Sequence, residues 1–323
     1  MKQNRLNKFI LVVTVLGSFI TSNALAEDRA LDMPEPGFSG FLMVGGGFSS
    51  GKTGLDDAAE DDDKTIGSLN ESGKSRSEFM PIFDGALNYN FMETGTMVSI
   101  NSENGWGMDI SQFVGGLGMF STGGHFGTED VWADPYLTGT PRSKTDRDVL
   151  AFNFGWEQIM ESDFSICYTL QTIDVDNDTA GKQDARLKRD GTIHNFNLSY
   201  LLFSNDAHAL LTGLGYEIGN LDGSAQEYKG YELFLSHCYT GNEWDLTTSL
   251  SYGKKDFDKS HPKFNKTRDD NSYAVDTAYT LYNPFGFQDY FVTLFGGYEA
   301  RDSNISFYDS SVFSSGLAVG LTF

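Results

Sequence analysis

The sequence predicts an all-β fold: a closed antiparallel transmembrane β-barrel of about 14 strands, with short periplasmic turns and long extracellular loops. Three observations predict it. Along most of the chain, apolar residues alternate with small or polar ones at a period of two. The small face carries Gly, Ser, Thr and Asn instead of the Lys and Glu of a water-exposed face. The apolar face ends in Tyr, Phe or Trp, as expected for lipid outside, a lumen inside and an aromatic girdle at each interface. Composition agrees: of 323 residues, 36 are Gly, 26 Phe, 15 Tyr and 4 Trp, yet only 39% are hydrophobic, because only alternate residues meet lipid. Closure leaves no unpaired strand edge in hydrocarbon, where each unsatisfied backbone group is expensive.

The chain divides into an expected signal peptide (1–26), a periplasmic N-terminal segment (27–36) and the barrel (37–323). Lys2, Arg5 and Lys8 form a basic region, Phe9 to Ile20 a short apolar core, and Ala24-Leu25-Ala26 a cleavage pattern. No Cys stands directly after Ala26, so no lipoprotein anchor is expected.

The strands then follow in order. Phe79, Phe83, Leu87, Tyr89 and Phe91 alternate with Met80, Ile82, Asp84 and Ala86. Leu150, Phe152, Phe154 and Trp156 alternate with Ala151, Asn153 and Gly155, and Phe164, Ile166 and Tyr168 with Ser165 and Cys167. The same period runs through Phe196–Leu202, Leu210–Ile218, Tyr231–Tyr239, Tyr273–Leu281 and Tyr290–Tyr298. At the end Phe313, Leu317, Val319, Leu321 and Phe323 oppose Ser314, Gly316, Ala318 and Gly320. A closing strand with a terminal aromatic makes Phe323, Leu321 and Val319 a candidate C-terminal assembly signal.

Connection lengths fix the topology. Short turns are expected near 92–95, 118–123, 158–163, 204–208, 240–243 and 284–289. Longer, more charged connections are expected near 53–77, 128–147, 174–190, 219–227, 255–270 and 301–310, with a short exception at 103–105. Short turns belong on the periplasmic side and long loops outside. The stretches 96–102 and 106–117 are the weakest strands, so twelve strands is the alternative to fourteen.

Several segments resemble one family. They are Gly37-Phe38-Ser39-Gly40-Phe41, Trp132-Ala133-Asp134-Pro135-Tyr136-Leu137-Thr138-Gly139 with Arg142-Ser143-Lys144-Thr145-Asp146-Arg147, Trp244-Asp245-Leu246, Asp256-Phe257-Asp258-Lys259 and Asp302 to Asp309. The chain resembles an uncharacterised group of Gram-negative outer-membrane barrels, a domain of unknown function common in vibrios and relatives, over residues 37–323. The last motif also resembles the closing strands of surface-lipoprotein assembly modifiers, whose N-terminal helical repeats are absent here. The resemblance implies the cell outer membrane and the barrel, and it brings no functional residues with it.

Charge narrows the partners. A formal net charge of −22 argues against nucleic acid. The expected partners are the lipid bilayer with its lipopolysaccharide, the barrel-assembly machinery and small solutes. Asp84, Glu217, Glu232, Asp276 and Glu299 fall on the small-residue face as candidate lumen-facing charges. The segment 134–148 is the most basic stretch, and Arg142, Lys144 and Arg147 make it a candidate constriction loop. Folded inward, it would set a transverse field against those acids; otherwise it is a rim loop packing on its neighbours. The acidic run 56–63 is either a solvated, self-repelling loop, a divalent-cation site or an anion barrier. Asp174 to Asp178 starts like a calcium loop, but Thr179 and Ala185 stand where Gly and Glu are needed.

Cys167 and Cys238 have lumen parity on strands too far apart for a disulfide, roughly 14 Å along the wall against a limit of about 7 Å. Two free thiols follow. The five His show no ligand spacing, and no nucleophile–base pattern appears. No catalytic residue, metal or cofactor is therefore expected, and the chain is not expected to be an enzyme. The function expected is a pore or passive channel for small hydrophilic solutes with a mild cation preference. The alternative is a closed barrel acting as a surface adhesin, receptor or assembly factor.

Overall fold

The computed structural model describes residues 36–58, 63–91, 93–102 and 105–323. The expected signal peptide, residues 27–35 of the N-terminal segment, and Glu60, Asp61 and Asp62 of the acidic run lie outside them.

Fourteen strands form the wall: β1 (Gly37–Lys52), β2 (Ser75–Phe91), β3 (Thr96–Asn101), β4 (Trp106–Val114), β5 (Gly118–Trp132), β6 (Lys144–Glu157), β7 (Phe164–Val175), β8 (Gly191–Ser204), β9 (His208–Leu221), β10 (Tyr228–Thr240), β11 (Trp244–His261), β12 (Lys266–Tyr282), β13 (Tyr290–Ser303) and β14 (Ser310–Thr322). Each pairs with its neighbours in chain order, and β14 closes on β1 in antiparallel register from Phe41↔Thr322 to Lys52↔Ser311. At the seam the Gly40 N–H donates to the Phe323 carbonyl at 2.8 Å, and the Phe323 N–H donates back at 3.1 Å. The weakly patterned stretches form β3 and β4, so the count is fourteen.

Three connections differ from the sequence expectation. The loop expected at 128–147 narrows to 133–143, because β5 runs to Trp132 and β6 begins at Lys144, which places Lys144 and Arg147 on a strand. The turn expected at 118–123 lies instead at 115–117, where Gly116 supplies a φ of +76° that a side chain would resist. The expected 255–270 loop shrinks to 262–265 because β11 and β12 continue as a paired ribbon beyond the membrane. Its charges had read as loop. Backbone pairing does not depend on them, and they pair along and across the strands, with Lys254 Nζ 3.1 Å from Asp256 on its own strand and 3.2 Å from Asp269 on the next.

The outer wall carries Leu42, Val44, Phe48, Phe79, Phe83 and their equivalents, all exposed to the lipid side. Toward its periplasmic edge, ring contacts run Tyr239–Trp244 (4.8 Å) and Trp244–Tyr279 (5.5 Å); toward the other edge, Tyr216–Tyr231 (5.1 Å) and Tyr252–Tyr273 (5.3 Å). These are the two girdles. A closed barrel with such a belt is an outer-membrane protein. No helix among the described residues is long and apolar enough to cross a membrane.

The inner face is not uniformly small. Phe291 and Phe295 on β13 point inward and pack with Met43, Ile82, Ala278 and Ala318 into a buried cluster beside the seam. Each ring lies over the glycine directly opposite it, Phe291 over Gly320 and Phe295 over Gly316. Polar groups follow the same rule: Asp276 opposes Gly297, Asp109 opposes Gly123, and Glu232 stands between Gly215 and Gly253. Much of the glycine content therefore makes room for a larger inward neighbour.

Candidate functional site

Two features bear on function: a cap over the extracellular mouth and the charged lumen beneath it. The cap is assembled from six of the extracellular connections. Leu55 and Ile66 come from 53–74, Tyr136 from 133–143, Ala180 and Leu187 from 176–190, Ala225 from 222–227, and Ile305, Phe307 and Tyr308 from 304–309. They form one buried cluster, with Leu69 and Phe264 against it. Leu187 and Phe307 are 0% exposed, so the cluster is a dry core and not a set of solvated loops.

Polar groups tie the cap to the wall. Arg142 is 1% exposed, with its guanidinium 4.2 Å from the Trp132 ring centroid. It donates to the carbonyls of Leu55 (2.5 Å), Pro135 (2.8 Å) and Asp63 (3.1 Å). Burial pushes its ionisation down to about 10, leaving it charged at neutral pH. Trp132 Nε1 donates to the Asp57 carbonyl at 2.7 Å. Asp56 accepts from Arg301 at 3.0 Å, and Asp63 lies 3.6 Å from Arg76. The described part of the acidic run is thus a latch onto wall arginines. Deeper in, the Tyr136 and Tyr308 hydroxyls are 3.0 Å apart, and that of Tyr308 is 3.1 Å from His261 Nε2. Burial raises both tyrosine ionisations. Asp178 caps the short helix Thr179–Gln183 and accepts from Arg189 at 2.8 Å, which assigns the calcium-like run to loop structure.

The three basic residues of the candidate constriction loop divide between two places. Arg142 lies in the cap against Trp132, and Lys144 stands 5.8 Å from the same ring centroid and 3.8 Å from Asp130. Arg147 pairs with Glu129 on the adjacent strand at 2.5 Å.

The candidate lumen acids differ in what holds them. Asp84 is 3% exposed and accepts from the Ser102 hydroxyl (2.8 Å) and the Gly85 N–H (2.7 Å). Glu217 is saturated by Lys255 (2.6 Å), the Tyr228 hydroxyl (2.5 Å) and Asn195 (3.3 Å). Glu232 and Glu299 are exposed on inward positions, and Asp276 is half-buried. A recess of about 50 Å³ opens on the β8–β12 wall, lined in part by Asn195, Glu217, Glu232, Lys254, Lys255 and Ser272.

Sequence reasoning missed Lys255, which had been assigned to a loop, and a second polar cluster. There Asp109 accepts from Asn101 (2.8 Å) and Asn153 (3.1 Å) and lies 3.3 Å from His125 Nε2. The inward parity of Asp109, His125 and Asn153 was the available signal. Cys167 is half-buried and Cys238 buried, and both are free. Val319 and Leu321 lie on β14 and Phe323 just beyond it, with Val319 and Phe323 exposed on the lipid face. Among the described residues, no group of three or more His, Cys, Asp or Glu could hold a metal.

Solved structures with a similar fold include a loop-deletion mutant of OmpT, an outer-membrane protein of Vibrio cholerae, at 12% identity over 88% of this chain and 98% of that one, TM-score 0.40. The outer-membrane channel DcaP of Acinetobacter baumannii matches at 10% identity over 88% and 97%, TM-score 0.43. The outer-membrane protein OprD of Pseudomonas aeruginosa matches at 10% over 92% and 97%, TM-score 0.40. Among curated proteins, none matches. Residues 37–323 match the family described as protein of unknown function (DUF2860), and the chain belongs to that family.

Proposed function

We propose that this barrel is a passive channel for small hydrophilic solutes with a mild cation preference, and that the cap gates its outer mouth. The observation that carries the reading is the solvent exposure of Glu232 and Glu299 on inward positions. A lumen filled with side chains would leave neither carboxylate wet. Fourteen strands tilted near 40° enclose a Cα diameter of roughly 28 Å, between small filled barrels and wide porins. The inward bases Lys255 and Arg147 are neutralised by Glu217 and Glu129, so the acids left in the lumen dominate its field.

The dry cap favours a second reading, a closed barrel serving as adhesin, receptor or assembly factor. Planar-bilayer recording separates the two. The channel reading expects rare steps from the intact protein and frequent steps after Phe307→Ser with Tyr308→Ser loosens the cap. Asp276→Asn with Glu299→Gln should then move the reversal potential toward non-selective. Silence from both the intact and the cap-loosened protein would retire the channel and leave the closed barrel.

A further inference from the structure

We propose that the recess around Glu232 is a subsite for the ammonium group of a small organic cation. The proposal rests on the reading of the lumen as a wet passage and adds a solute class to it.

The recess exists because of a pattern across three strands. Glu217 on β9 and Lys255 on β11 both oppose Gly230 on β10, and they meet across that glycine at 2.6 Å. Lys255 Nζ also lies 4.7 Å from the Tyr228 ring centroid, while the Tyr228 hydroxyl donates to Glu217. This edge of the recess is a rigid, mutually satisfied pair with no net charge. One row along, the order is reversed: Glu232 on β10 stands between Gly215 and Gly253, neither of which has a side chain to cover it. Among the described residues Glu232 makes no hydrogen bond or ion pair, and it is exposed. Ser272, directly opposite Gly253, supplies a hydroxyl beside it, and Asn197 Oδ1 approaches the Gly215 side.

Lys254 also borders the recess, with its ammonium held by Asp256 and Asp269, so the recess presents one unneutralised carboxylate flanked by neutral oxygens that can accept. That set complements a compact cation with several donors, which an ammonium is. An anion would meet Glu232 without gaining Lys255, whose charge is already held. At about 50 Å³ the space admits only a compact headgroup, on the scale of a few water molecules.

The test is equilibrium binding of ethanolamine to refolded protein in detergent, read by saturation-transfer NMR, with ethylene glycol and glycolate as neutral and anionic counterparts. The expected result is saturable binding of ethanolamine alone, weakened about tenfold or more by Glu232→Gln. Gly253→Ala, whose methyl group would displace the Ser272 hydroxyl while Glu232 keeps its charge, should weaken it as well. Glu157→Gln, which removes another inward carboxylate, should leave it unchanged. Equal weakening by Glu157→Gln would mean diffuse lumen charge and overturn the site, as would unchanged affinity in Glu232→Gln or comparable binding of glycolate. Binding in micelles needs no transport, so a silent bilayer with intact binding would sink the channel alone.

Discussion

At Arg142, a planar guanidinium faces three backbone carbonyls and the Trp132 ring, in a place no water reaches. The fork geometry lets one side chain join the loops at 53–74 and 133–143, which lysine, with one ammonium point, cannot reproduce. Arg142→Ala leaves carbonyls of both loops without a donor and should cost about 2 to 4 kcal/mol of cap stability. Limited proteolysis of the intact barrel would read this as faster cleavage within 53–74, and Arg142→Lys should be cleaved nearly as fast as the alanine variant. An unchanged cleavage rate would refute the role. The sequence made the 134–148 segment conspicuous as a basic stretch in an acidic chain. It could not say where Arg142 points, because that depends on carbonyls from Leu55 and Asp63, which lie far away in the chain. Charge type was legible, whereas its partners are a property of the folded loops.

Strands tell a different story. The outward face was readable throughout, since lipid imposes the same demand at every second residue and the period survives even in β3 and β4. Inward positions carry no such uniform demand. Phe291 and Phe295 share parity with Gly297 and Glu299, so expecting small residues inside hid them. Register explains them, because each ring needs a glycine on β14 and register is not visible in one strand alone. Gly316→Val puts a branched side chain into the Phe295 ring and the backbone of β1, beside the seam. Less heat-modifiable, folded band should form on refolding, whereas Phe295→Ala in the same background should restore part of the yield. Equal yields for wild type and Gly316→Val would show that the ring–glycine contact does not govern closure.

Across the whole molecule the two ends contrast. The outer end is a dry core tied by arginines, while the lumen below it holds water-exposed carboxylates. The cap's response to alkali follows from its buried tyrosines. Tyr136 and Tyr308 are held protonated above the usual value of 10.0 by burial. Their stabilisation is complete below pH 10 and is lost as pH rises through the folded values. Arg142 acts oppositely: its folded value is depressed, so the cost of burying its charge is relieved as pH rises past about 10. With two tyrosines against one arginine, the cap should loosen above pH 10. Conductance steps should become more frequent there, and Tyr136→Phe, which has no proton to lose, should blunt the rise. A flat pH response in the wild type would contradict this.

The pairing of each large inward group with a glycine has a consequence for how such a lumen can change over generations. A new charge placed opposite an existing side chain collides with it, while a glycine placed opposite a glycine leaves a bare wall. Lumen chemistry can therefore be rewritten most easily in reciprocal exchanges across a rung. Exchanging Phe295 with Gly316, which faces Gly47 on its other side, would carry the ring one strand sideways at constant volume. Relatives of this barrel should differ inside by such coupled swaps, and single inward substitutions should be the rarer class.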